Sequence, residues 1–201
     1  MHRRERSSKL SRSSGGAVPV QPKSDQNAYA NTDRAASALW RTLTANRNGY
    51  GDTAPESYAE LLRGPYHSSQ RTLVYISWFV SSNATFKVFG KHLADYFNFE
   101  EGTTPEKSRF ESYDVASRAR ACLTSRNLIT KTRGYLALVP HLTQRWDVIS
   151  ILFGCSTPMV LHPFGSPYRL IGEAYVHGIM KGEGTEDYLN GIEQAEPFRL
   201  Y

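Results

Sequence analysis

Apolar residues recur at helical spacing through the first half of the chain and in short strand-like runs through the second. In NTDRAASALWRTLTANRNG, Ala36, Trp40 and Leu43 stand four and three apart, which puts them on one face of a helix. Asn31 or Thr32 can cap its first amides, Asp33 suits its positive end, and Asn48-Gly49 closes it. PESYAELLRG predicts a shorter helix with Pro55 in the first turn, Tyr58, Leu61 and Leu62 as its apolar side, and Gly64-Pro65 as its stop. The run LVYISWFV, Leu73 to Val80, satisfies strand and helix patterns alike, and helical neighbours on both sides favour a helix. Phe86, Phe89, Leu93 and Phe97 follow at spacings of three, four and four, predicting another amphipathic helix with Asn83 as its cap. A further helix fits TTPEKSRFESYDVASRARACLTSR, capped by Thr104 with Pro105 in the first turn. Its packing face runs through Phe110, Tyr113, Ala116 or Ser117, and Arg120 or Cys122.

After Asn127 the period shortens. LITKTRGYLALV reads as two strands around Thr132-Arg133-Gly134, and WDVISILFG, CSTPMVLHPFG and SPYRLIGEAYVHG extend the count to five or six. The fold class is therefore α+β: a helical N-terminal half packed on a small antiparallel β-sheet or partly closed barrel in the C-terminal half. We divide the chain into a disordered, basic, Ser/Gly-rich tail over 1–29, a helical region over 30–126 and a β-rich region over 127–201. The two ordered regions are expected to share one core, because a small sheet needs its apolar face covered.

Charge changes this picture only at the N-terminus. Residues 1–24 hold six Lys or Arg and one acid, a net +5 equal to that of the whole chain, so the remainder is neutral. Such a tail can make weak, salt-sensitive contacts with nucleic acid or carry a nuclear-targeting signal, and it also reads simply as a solvated end. Arg126, Lys131, Arg133 and Arg145 are expected to be ordinary solvated or paired charges. Trp40, Tyr58, Trp78, Phe86 and Phe89 are expected to pack in the core. No apolar stretch approaches the roughly 20 residues that span a bilayer. The start carries charge without the apolar segment of a secretory signal, and the only cysteines are Cys122 and Cys155. The expected location is cytoplasmic, with the nucleus as an alternative.

Familiar reaction motifs are missing. There is no GxxxxGK[ST], HExxH, CxxC or GxSxG, and Gly90-Lys91 lacks the rest of a phosphate loop. The richest chemical string is GEAYVHGIMKGE, residues 172–183. As one strand, Arg169 to His177 would put Arg169, Ile171, Glu173, Tyr175 and His177 on a single polar face. Glu173, Tyr175 and His177 are the candidate acid–base residues, since a carboxylate can orient an imidazole and a tyrosine can donate to it. The same three side chains also fit a local hydrogen-bond network on a half-exposed sheet. Cys155, His162 and His177, with Glu173, are metal candidates by ligand type alone, without paired spacing, and a Cys155–His177 nucleophile pair is a further option. No cofactor is expected.

Taken together and in order, GYLALVP, DVISILFGCSTPMVLHPFG and YRLIGEAYVHGIMKGE resemble the C-terminal region of fungal heterokaryon-incompatibility (HET-domain) proteins, and ALWRTLTANR upstream resembles a second landmark of that region. The similarity spans roughly Asn31 to Phe198. Its landmark residues are Trp40, Arg41, Gly134, Asp147, Gly154, Pro158, Gly172, Glu173, Tyr175, His177, Gly178, Gly182 and Glu183. The resemblance implies a link to fungal non-self recognition, an unidentified protein partner, and a non-enzymatic interaction or regulatory module. The name-giving HET domain lies N-terminal to this region in that family and has no counterpart here, so its role is not transferred. The chain reads as a freestanding C-terminal module, a partial paralogue or a truncated product. The alternatives are an enzyme using Glu173, Tyr175 and His177, and a nucleic-acid or nuclear-targeting function of the tail. Departures from the family pattern are Trp146 where Gly often precedes the Asp, His162 in place of a common Arg, Lys181 in place of Asp, and Ala137 in place of Gly.

Overall fold

The computed structural model of the chain describes residues 11–12, 28–29, 32–62, 71–97, 106–131, 134–165 and 167–201. Most of the basic tail lies outside these residues, as do the caps expected at Asn31 and Thr104-Pro105 and the stop at Gly64-Pro65.

Among the described residues the two-residue strand β1 (Ser11–Arg12) comes first and a helical layer follows. Helix α1 (Thr32–Leu43) buries Ala35, Ala38, Leu39, Trp40 and Leu43, while Ala36 is only partly covered. A 3-10 helix over Glu56–Leu62 follows and buries Tyr58, Leu61 and Leu62, as its pattern predicts. The ambiguous apolar run is helical, in α2 (Arg71–Ser82). Ile76, Phe79 and Val80 face inward, whereas Trp78 is half exposed beside Tyr75 at 5.6 Å, so it is not the core residue expected of it. Helix α3 (Glu106–Leu123) packs through Val115, Ala116, Ala119, Cys122 and Leu123, and its Arg120 is exposed.

One predicted helix is absent. The Phe86–Phe97 stretch forms a hairpin, β2 (Lys87–Val88) and β3 (Lys91–His92), followed by a 3-10 helix over Leu93–Tyr96. Phe89 and Gly90 form its two-residue turn with φ of +51° and +81°, the left-handed pair that matches the twist of a tight hairpin. The spacing misleads because the turn folds Leu93 back onto Phe86, whose carbonyl accepts the Leu93 amide at 2.9 Å. Phe86, Leu93 and Phe97 are buried as a helix face would have been. Asn83 is not an N-cap. Its side-chain amide donates to the Phe79 carbonyl at 2.7 Å and closes the end of α2 instead.

The C-terminal half carries six strands: β4 (Arg126–Thr130), β5 (Leu136–Pro140), β6 (Val148–Ser150), β7 (Met159–Pro163), β8 (Tyr168–Glu173) and β9 (Tyr175–Val176). They make two antiparallel sheets, β1-β4-β5-β9 and β6-β7-β8, which among the described residues do not close into a barrel. Alternation along β5 explains the layering. Leu136 and Leu138, with Leu128 and Tyr175, pack into the core built on α1, α2 and α3. Ala137 and Val139, with Ile129 and Val176, instead meet Val160, Ile149 and Ile171 of the second sheet. The first sheet is thus a middle layer covered on both faces, which is why residues 136–139 are all buried.

The predicted strand from Arg169 to His177 is two strands in two sheets. The β7–β8 register shifts between Val160 and Leu161, leaving Ile171 as the extra residue of a bulge. At Ala174, whose amide donates to the Pro158 carbonyl at 2.8 Å, the chain leaves one sheet for the other. The single polar face expected of Arg169, Ile171, Glu173, Tyr175 and His177 therefore does not exist. Gly172 permits this crossing. Its φ is +150°, and a Cβ there would stand 3.1 Å from the Pro140 ring at the end of β5.

Candidate functional site

Three sequence-predicted candidates meet different fates. Tyr175 is buried on β9, with its hydroxyl 3.0 Å from His177 Nδ1. Glu173 is exposed at the end of the other sheet, where its backbone carbonyl accepts Arg126 Nη1 at 3.1 Å. The carboxylate expected to orient the imidazole is instead exposed to solvent.

Two residues unsuspected from sequence, Tyr29 and Tyr135, complete the cluster. The Tyr29 hydroxyl donates to the His177 carbonyl at 3.0 Å and accepts the Leu136 amide at 3.0 Å. Its ring lies 5.3 Å from the His177 ring, 5.6 Å from Phe89 and 6.2 Å from Tyr135. The His177 amide donates to the Leu136 carbonyl at 3.0 Å, which continues the β5–β9 ladder by one residue. Gly178 follows with φ +93°, and a Cβ on it would sit 3.3 Å from the Tyr135 ring. No sequence signal distinguishes Tyr29 from the tail that precedes it. Its role arises from contacts more than 100 residues away.

Burial governs the protonation of this cluster. It pushes the His177 imidazole down to about 4, assisted by the positive field of Arg41 and partly opposed by Glu183. The Tyr175 and Tyr29 phenols are both raised, again chiefly by burial. At neutral pH the imidazole is therefore uncharged and the Tyr175 phenol keeps its proton. The Tyr175 hydroxyl and Nδ1 share one hydrogen bond, whose direction is set by the imidazole tautomer. A neutral imidazole is a usable base in principle. Here one nitrogen is already occupied and the backbone is fixed on both sides, as in a structural joint.

The metal candidates separate. His162 Nδ1 lies 2.6 Å from Asp147 Oδ1, Cys155 is a free and exposed thiol, and His177 belongs to the tyrosine cluster. Among the described residues no three His, Cys, Asp or Glu side chains converge at metal-binding distance. Asp147 is wholly buried on the His162 side of the β6–β7 pair, and its second oxygen accepts the Gln144 amide at 2.7 Å. His162, which replaces a common Arg in the resemblance, keeps a basic partner on that carboxylate.

The remaining landmark residues are also engaged internally. Trp40 is core, and Arg41 covers its ring at 4.2 Å while bonding Asn46 Oδ1 at 2.7 Å and pairing with Glu56. Glu183 accepts the Lys181 amide at 2.6 Å. Landmark glycines 134, 154, 172, 178 and 182 all have positive φ. Of the flanking cations, Arg126 is bound as described and Arg145 lies 4.8 Å above the Trp146 ring. Several large apolar side chains also face solvent. Phe153, Phe164, Leu170, Leu189, Ile192 and Tyr201 are all exposed around the second sheet and the short helix α4 (Glu183–Leu189).

Comparison with known families fits this fold. The profile of a family described as the Het-6 beta-barrel domain matches residues 17–190, most of the chain. No curated protein and no solved structure matches it.

Proposed function

The chain belongs to the Het-6 β-barrel family, related to the fungal heterokaryon-incompatibility proteins, and from that premise we propose that it acts as a non-enzymatic interaction module in that response. The observation that carries this reading is the contrast between its two kinds of surface. Apart from the exposed Glu173, the polar landmark side chains Arg41, Asp147, Tyr175, His177 and Glu183 are bonded within the chain, while several aromatic and aliphatic side chains around the second sheet are left to solvent. Phe153 and Leu189 are 71% and 75% exposed, and exposed apolar surface of this kind commonly marks a contact with another protein. Among the described residues no helix is long and apolar enough to cross a membrane. A cytoplasmic site of action, with the nucleus as the alternative, belongs to the same proposal. A fluorescent fusion protein in living hyphae tests it.

The functional test is a hyphal-fusion assay in a fungal host expressing the full chain. Phe153→Asp with Leu189→Asp should leave circular dichroism unchanged and abolish the change in the outcome of incompatible fusion that expression of the wild-type chain is expected to produce. His177→Gln should leave that effect intact in any sample that stays folded. An enzymatic reading predicts the reverse order of sensitivity. Turnover of a small molecule that disappears with His177→Gln and survives the surface changes would replace our reading.

A further inference from the structure

The edge of β8 is already occupied by a segment of the same chain. Residues 198–201 run parallel to it in a single bridge, Tyr168 to Leu200. The Tyr168 amide donates to the Arg199 carbonyl at 2.7 Å, and the Tyr201 amide donates to the Tyr168 carbonyl at 3.2 Å. Two aromatic contacts flank this bridge. Phe198 meets Tyr168 edge-on at 5.0 Å, and Tyr201 stacks on Phe164 at 5.5 Å with only 13° between the rings. The segment is nevertheless shallowly held. Leu200 and Tyr201 are exposed, Arg199 is exposed, and the Phe164 ring beneath Tyr201 is itself exposed.

We propose that the β8 edge is a docking site for an extended segment of a partner protein, and that Phe198-Arg199-Leu200-Tyr201 is its resident, displaceable occupant. Strand addition supplies the affinity through backbone bonds that any extended chain can make, and side-chain seats supply the selection. Here the seats are two aromatic surfaces, Tyr168 and Phe164, on either side of the bridge. The partner segment is therefore extended, without proline at the position that donates to the Tyr168 carbonyl. It carries aromatic side chains three residues apart, as Phe198 and Tyr201 are. The resident segment competes at the high effective concentration of a tethered ligand, so only a partner with further contacts displaces it. The exposed Leu170, two residues beyond Tyr168 on β8, offers such a contact.

This inference rests on the interaction-module reading and names its surface. Its test uses the full chain. A fluorescently labelled, C-terminally amidated peptide of residues 195–201 is titrated against the wild-type protein and a Phe198→Ala, Tyr201→Ala variant, with binding read by anisotropy. Tyr201 is exposed and Phe198 half-buried, and circular dichroism verifies that the variant keeps the fold. The variant should bind the peptide at least about tenfold more tightly than wild type, because the tethered competitor has been weakened. Methylation of the peptide nitrogen at the Tyr201 position should abolish that binding. Hydrogen exchange at the Tyr168 amide should quicken in the variant and slow again when peptide is added. Equal affinity for both proteins, no binding to the released variant, or unchanged binding of the methylated peptide would each overturn the proposal. Any of these results, with the hyphal-fusion effect still lost in Phe153→Asp/Leu189→Asp, would reject this edge and leave the interaction-module reading standing.

Discussion

Trp146 holds φ +81°, a left-handed conformation that costs an ordinary L residue about 1–2 kcal/mol. It stands where the resemblance places a glycine, so the landmark records a backbone requirement that this chain meets under strain. The clean comparison is between two truncations that both lose the contact with Arg145. Trp146→Gly should be more stable than Trp146→Ala by about 1 kcal/mol in urea unfolding, since only glycine relieves the strain. The next residue, Asp147, carries a different demand. Its carboxylate is fully buried between the Gln144 amide and His162. Asp147→Ala should cost about 2–3 kcal/mol, because it removes two charge-assisted bonds and leaves the amide without a partner. His162→Arg keeps a hydrogen-bond donor on the carboxylate and should stay within about 1 kcal/mol of wild type in the same assay.

At the scale of elements, the joint between the β2–β3 hairpin and the β5–β9 ladder depends on one phenol. Tyr29 bonds both the Leu136 amide and the His177 carbonyl, while its ring touches Phe89 of the hairpin turn. Tyr29→Phe preserves the ring and should lower unfolding free energy by about 1–3 kcal/mol, the cost of a buried amide left unsatisfied. His177 adds a pH dependence to the same joint. Its folded-state pKa is depressed to about 4 from 6.5, so between those values the unfolded chain binds the proton more readily than the folded one. Stability from this group is therefore complete above about pH 6.5 and lost as the pH falls toward 4, by at most about 3 kcal/mol once solvent screening of this partly exposed ring is allowed for. Unfolding of wild type and His177→Gln followed over that range should show the stability gap between them narrowing on acidification. A gap independent of pH would mean that His177 is not held neutral by burial.

For the whole molecule, the first sheet lies between helices and a second sheet, with Leu136 and Leu138 facing one core and Ala137 and Val139 the other. No layer keeps its apolar face covered once another departs. We therefore predict that far-ultraviolet circular dichroism and tryptophan fluorescence report one coincident unfolding transition. Leu138→Ala should shift both signals together by about 2–5 kcal/mol. Two separate transitions would instead make the helical and β-rich regions independent domains.

The apolar pattern by itself determined the α+β class, with a helical first half packed on a β-rich second half, and most of the core, because burial of a periodic face is a local property of sequence. It also singled out GEAYVHGIMKGE, whose glycines prove to be sites of positive φ. Spacing could not separate the Phe86–Phe97 hairpin from a helix, since a two-residue turn returns the same aromatic residues to the same core. Nor could it place Glu173. The bulge at Ile171 and the crossing at Ala174 depend on how closely Gly172 approaches Pro140, a contact between residues 32 positions apart. Tertiary structure alone decided that Glu173 faces solvent, that His177 is locked between Tyr29 and Tyr175, and that residues 198–201 lie along β8. Each of these results from packing between distant segments, which no local pattern encodes.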